Sequence, residues 1–82
     1  GSDHEDVVRL HEDLVRKQED ARRVLEEIVR LAEEIVEVIK KDEKDKDRVT
    51  RLVEEIEKLV EEYKKKVDEM RKISDEIKYR SR

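Results

Sequence analysis

Small branched apolar residues recur along this chain at heptad spacing, and that period decides what it can fold into. With Val7 set as position a, the a series is Val7, Leu14, Ala21, Ile28 and Ile35, and the d series is Leu10, Lys17, Val24, Leu31 and Val38. Position e carries His11 and Gln18, then Leu25, Ala32 and Ile39. This spacing gathers apolar side chains on one side of an α-helix, whereas a strand would scatter them over both faces. Glu12, Glu19, Glu26 and Glu33 at f, with Arg9, Arg16, Arg23 and Arg30 at c, make the opposite side charged. Five heptads without a slip predict a first helix over about residues 3–41, about 55 Å long at about 1.5 Å per residue.

The second half repeats the scheme. Position a holds Val49, Ile56, Tyr63, Met70 and Ile77; d holds Leu52, Leu59, Lys66 and Ile73; e holds Val53, Val60, Val67 and Ser74. These predict a second helix over about residues 47–80. The two stripes differ in width. Positions a, d and e span about 100° of a helix, the width of an ordinary bundle helix. The first helix also has Val8, Val15, Val29 and Val36 at b, interrupted by Arg22, which widens its stripe to about 160°. Its b positions have polar counterparts in the second helix. The first helix is therefore expected to have neighbours on more than one side.

The stretch from Lys40 to Arg48 is charged at every position. Heptad phase nevertheless survives it, since Val49 falls two heptads beyond Ile35. Periodicity alone would thus allow one long rod. Two arguments favour a turn over about residues 42–46. A rod would bury Asp42 at a and Asp45 at d, two carboxylate layers that cost heavily in an apolar seam. Asp is also a weak helix former that favours caps, and Asp45 or Asp47 can cap the second helix. The turn lacks the glycine common at helix ends.

Residues 1–82 are therefore expected to form one all-α unit, a two-helix antiparallel hairpin. With the turn centred near residue 44, positions whose numbers sum to about 88 lie level. Leu25 then meets Tyr63, Ala21 meets Val67, and Leu14 meets Ser74. Small residues such as Ala21 and Ala32 beside larger neighbours let the layers interdigitate. The expected core comprises Val7, Leu10, Leu14, Ala21, Val24, Leu25, Ile28, Leu31, Ile35 and Val38 from the first helix. From the second it comprises Leu52, Ile56, Leu59, Tyr63, Val67, Met70, Ile73 and Ile77. A chain of 82 residues makes little core alone, so hairpins are expected to associate in a coiled-coil-like helical bundle. Charged residues are 56% of the chain. A disordered chain can be as charged, but its apolar residues would not keep a strict period.

Few residues suggest chemistry. His11, Gln18 and Ser74 interrupt the apolar e positions at one end of the hairpin and are expected to form a buried hydrogen-bond network that sets register and partner choice. The alternative is that these positions are half exposed, where polar groups cost nothing. The network is favoured because the e positions nearer the turn are apolar. Tyr63 is expected to fill core with its hydroxyl at an edge. Lys17 and Lys66 are expected to cover the seam with their stems while the ammonium reaches water. His4-Glu5 and His11-Glu12 begin like a zinc-binding HExxH motif, but Val8 and Val15 stand where the second His belongs. No catalytic residue, metal ligand or cofactor site is assigned.

Acid–base pairs four residues apart, such as Glu12–Arg16, Glu26–Arg30, Glu54–Lys58 and Asp68–Lys72, suit a solvated helix surface. Glu55, Glu62, Glu69 and Glu76 flank the stripe of Arg51, Lys58, Lys65 and Lys72, and net charge is −4, which argues against nucleic acid and anionic membranes. No apolar run has the length of a membrane span. The chain has no Cys, hence no disulfide or thiolate site, and its compartment is undetermined. Gly1-Ser2 looks like the scar of a cleaved tag.

Uniform Glu/Lys/Arg surfaces, a Val/Leu/Ile/Ala core and sparse polar residues within it together resemble de novo designed helical hairpins. The resemblance covers the whole chain in style and departs from the usual pattern in having no glycine in the turn. It implies association into homo- or hetero-oligomeric bundles, often with hydrogen-bond networks at the interface, and no natural substrate or compartment. The expected function is an oligomerisation module, two hairpins forming a four-helix bundle. The partner would be its own copy or a complementary hairpin. A trimeric or larger two-ring bundle with helix one inside, and a natural coiled-coil adaptor, are the alternatives. A membrane-surface helix is disfavoured by the small apolar residues and many acids.

Overall fold

A computed structural model describes residues 2–41 and 45–81, with side chains from His4 onward. Two α-helices make up the described chain: α1 (Ser2–Lys40) and α2 (Lys46–Arg80). They pack side by side and antiparallel, with overall extents of 63 × 14 × 13 Å. The hairpin is therefore the fold, and the single rod that unbroken heptad phase would permit, about 120 Å long, is not. Asp42, whose burial argued against a rod, lies with residues 43 and 44 outside the described residues, as do Gly1 and Arg82.

Local chemistry explains where the helices end. The Asp45 side chain accepts a hydrogen bond from the Arg48 backbone N–H at 3.0 Å. That bond satisfies one of the amide donors left free in a first helical turn. Asp47 follows in the first turn, and Lys78 and Arg80 sit in the last, each sign opposing the end of the helix dipole it occupies. Lys40 does the same for α1. At the C-terminus the Ser81 N–H donates to the Ile77 carbonyl at 2.9 Å with φ −89°, so this end closes without a left-handed residue.

The helices meet in a register slightly different from that expected. The bounding residues Lys40 and Lys46 are symmetric about 43. Two interhelical ion pairs among the described residues join positions whose numbers sum to 86, namely 6 with 80 and 17 with 69. The pairings expected from a turn centred on 44 are displaced by two residues, about 3 Å. Tyr63 thus lies level with residue 23 rather than with Leu25. Each helix end contributes one residue: α1 ends at Lys40 rather than at about 41, and α2 begins at Lys46 rather than at about 47, with Asp45 in the capping position.

Burial is concentrated in few residues. Ala21, Val24, Leu31, Val38 and Leu52 are the buried side chains, and Val38 is 2% exposed. Most other a and d residues are half buried. Replacing Asp45 by Ala should lower stability by about 1 kcal/mol through the lost cap. Leu31→Ala should cost about 2–5 kcal/mol through the cavity it leaves. Thermal and denaturant melts check both; equal losses from the two substitutions would contradict this division between cap and core.

Candidate functional site

Which side of each helix is covered follows from the burial pattern. On α1 the buried residues are Ala21 at a and Val24, Leu31 and Val38 at d, while the g acids Asp13, Asp20, Glu27 and Glu34 are half buried. At about 100° per residue, d lies between a and g, so α1 turns d toward α2. On α2 the covered arc is d, a and e: Leu52 is buried and Ile56, Leu59, Val60, Tyr63 and Val67 are half buried. The g acids of α2, Glu55, Glu62, Glu69 and Glu76, are exposed. In an antiparallel pair the g positions of both helices flank one long edge and the e positions flank the other. The two edges differ sharply here.

The g edge is ionic. Arg80 pairs with Asp6 at 3.1 Å and Lys17 with Glu69 at 2.7 Å, each joining a g acid to the d position of the other helix. Lys17 lays its stem across the seam, as expected, and its ammonium meets the exposed Glu69 carboxylate on the far side. Its pKa is raised by the hydrogen bond to Glu69 and then by that carboxylate's charge. The Glu69 carboxyl is lowered by the same bond and charge, with smaller help from Lys66 and Lys72. Further along, Arg30 hydrogen-bonds Glu27, which raises the guanidinium and lowers the carboxyl, and feels Glu34 and, across the seam, Glu55.

The ladder of acid-first pairs four residues apart is largely replaced on α1. Arg16 pairs with Asp13 at 2.6 Å, Arg23 with Asp20 at 3.9 Å, and Arg30 with Glu27. Each turns to the g acid three residues before it rather than to the f glutamate four before. The g acids are 42–49% exposed in these pairs, whereas Glu26 at f is 69% exposed. Water screens a charge less at the shoulder of the seam, so the cation gains more there.

The e edge is apolar and open. Val8, Val15, Val29 and Val36 at b, with Leu25 and Ile39 at e, are each 42–66% exposed. Val53, at e of α2, adds to the same edge at 40% exposed. From residue 8 to residue 39 the stripe runs about 47 Å. Arg22, which interrupts it, turns aside to Glu26 at 3.6 Å.

Of the expected core, all but Leu25 is buried or half buried within one hairpin; Leu25 faces outward on this edge. His11 and Gln18 are exposed here too, and Ser74 is half buried. The 86 register brings Ser74 level with residue 12, next to His11. Among the described residues no hydrogen bond links these three, so a single hairpin does not hold them in a network. His11 lies with Val8 and Val15 in a shallow depression of the open face. The b valines were absent from the expected core; the signal for them was the 160° width of the stripe. The ionic character of the g edge had no such signal, because a period cannot say which way a helix rotates.

No protein-family model, curated protein or solved structure matches the chain. Among the described residues no helix is long and apolar enough to cross a membrane. Among the described residues no cluster of His, Cys, Asp and Glu could hold a metal ion.

The Lys17–Glu69 pair predicts a pH dependence. A depressed Glu69 contributes stability above the ordinary carboxylate pKa and loses it as pH falls through its lower folded value. A raised Lys17 contributes below the ordinary lysine pKa and loses it as pH rises through its higher folded value. Glu69→Gln should thus be less stable than wild type between those limits. The difference should shrink toward about pH 3 and in high salt. Melts of both chains across that range test it; a difference unchanged by acid and by salt would contradict the pairing.

Proposed function

We propose that this chain is an oligomerisation module whose open apolar edge pairs with helices of another hairpin to complete a four-helix bundle. The carrying observation is the stripe of half-exposed valines, Leu25 and Ile39 on α1. Single exposed apolar residues are ordinary on a protein surface. A periodic stripe about 47 Å long is a different matter, because contiguous exposed apolar surface of that extent marks an interaction site. Helix packing at the small angles of a bundle covers such a stripe along its whole length. The resemblance to designed helical hairpins points the same way, and in that setting His11 and Gln18 are polar positions inside the interface.

A second reading has its own support. Six large apolar residues stand exposed on α1 along this edge but only Val53 on α2. That imbalance suits a larger ring in which α1 lines the centre and α2 lies outside. The mass of the assembly separates the two.

Substituting Val15 and Val29 together by Glu leaves the buried seam of the hairpin untouched. Were the hairpin self-sufficient, such surface changes would alter stability by no more than about 0.5 kcal/mol each. In an interface they bury carboxylates, so the double variant should lose association and most of its helicity, read by sedimentation and circular dichroism. A wild-type chain that is monomeric, fully helical and cooperatively melting at micromolar concentration would overturn the proposal.

A further inference from the structure

Two acidic rows flank the open edge, one on each helix. On α1 the f positions Glu5, Glu12, Glu19, Glu26 and Glu33 lie about 40° beyond the b valines, and all are exposed. On α2 the f positions Glu54, Glu61, Asp68 and Asp75 are exposed as well. Between that row and the e residues of α2 the b positions are mixed, with Glu57 beside Lys64, Arg71 and Lys78. Each rim therefore carries more acids than bases.

The pairing of the α1 arginines sharpens this. Spacing alone would let Arg16 and Arg23 neutralise Glu12 and Glu19. They turn instead to Asp13 and Asp20 on the other edge, at 2.6 and 3.9 Å. Arg22 and Lys64 stay with the rims, at Glu26 and Glu61. Among the described residues, Glu12, Glu19, Glu33, Glu54, Asp68 and Asp75 form no ion pair.

From these unpaired carboxylates we infer that the open edge takes a helical hairpin of different sequence, with lysines and arginines flanking its own apolar stripe, in preference to a second copy of this chain. The inference rests on the association reading above and adds the chemistry of the partner. A hairpin laid face to face with itself has two symmetric pairings. An axis across the helices sets α1 on the other copy's α1, so glutamate rows meet directly. An axis along the helices sets α1 on the other copy's α2 and keeps the register in which residue i lies level with residue 86 − i. Arg71 and Lys78 then find glutamates, but Lys64 falls level with Arg22. The four f acids of α2 fall level with residues 32, 25, 18 and 11, each one residue from an f glutamate of α1. Both symmetric pairings thus set acid against acid. Like charges across an interface weaken that pairing and opposite ones favour it. A partner with basic rims gains where a second copy loses, while the apolar stripe serves either.

A charge-reversed copy of the chain is the probe. It carries Glu12→Lys, Glu19→Lys and Glu33→Lys on α1 and Glu54→Lys, Asp68→Lys and Asp75→Lys on α2, with the apolar edge unchanged. At low ionic strength wild type should bind this copy at least about tenfold more tightly than it binds itself, measured by sedimentation and native mass spectrometry. The gap should close as added salt shortens the reach of the rim charges. A second copy, neutralised at the same positions with Gln or Asn, guards against a folding fault in the reversed one. It should self-associate more tightly than wild type at low salt. A mixture no tighter than wild type alone, with the neutralised copy also unchanged, would overturn the basic partner and leave the association reading intact. A wild-type chain that is a cooperative monomer and binds neither copy would remove both.

Discussion

One helix cannot cover an apolar arc of about 160°, and the organisation of this hairpin depends on that fact. α2 covers the d side of α1, where Val24, Leu31 and Val38 are buried. The b valines lie about 160° around the helix from d. No rotation of α1 against a single neighbour buries both. The chain resolves the conflict by burying the d seam within itself and leaving the b and e residues on one edge. The exposed face is therefore a consequence of stripe width and would persist under small changes of side-chain packing.

The choice of which part of the stripe to bury internally is tied to charge. Half-buried acids at g of α1 sit at the shoulder of the seam, and cations from both helices reach them. Lys17 and Arg80, both at d, would be poor core residues facing apolar side chains. Rotation toward g gives each a carboxylate partner, and the e residues of α1 are left facing outward while its a residues stay buried or half buried. One long edge closed by ion pairs and the other left apolar is the result. Exposed ion pairs stabilise weakly, so the seam rests chiefly on its buried apolar residues.

Much of this was legible in the sequence and some was not, for physical reasons. Helix positions followed from the period, and of the two caps the sequence offered, Asp45 and Asp47, the structure uses Asp45. The antiparallel fold followed from the cost of burying aspartates at heptad core positions. The register missed by two residues because it depends on where both helices end at the turn, one residue from each. The surface pairs differed because i,i+4 spacing ignores how much water each acid sees. His11, Gln18 and Ser74 were singled out correctly as interruptions in an apolar series. The series itself, however, turned out to face away from the intramolecular seam on α1. On a single hairpin His11 and Gln18 are exposed and Ser74 is half buried.

If the open edge is buried by association, folding and assembly are one equilibrium. The most direct measurement is the melting temperature as a function of chain concentration, followed by circular dichroism over about three decades. A coupled dimer gains stability with concentration by mass action, so the melting temperature should rise steadily across the range. A melting temperature independent of concentration, with full helicity at the lowest one, would show a hairpin that is stable alone and would contradict the account.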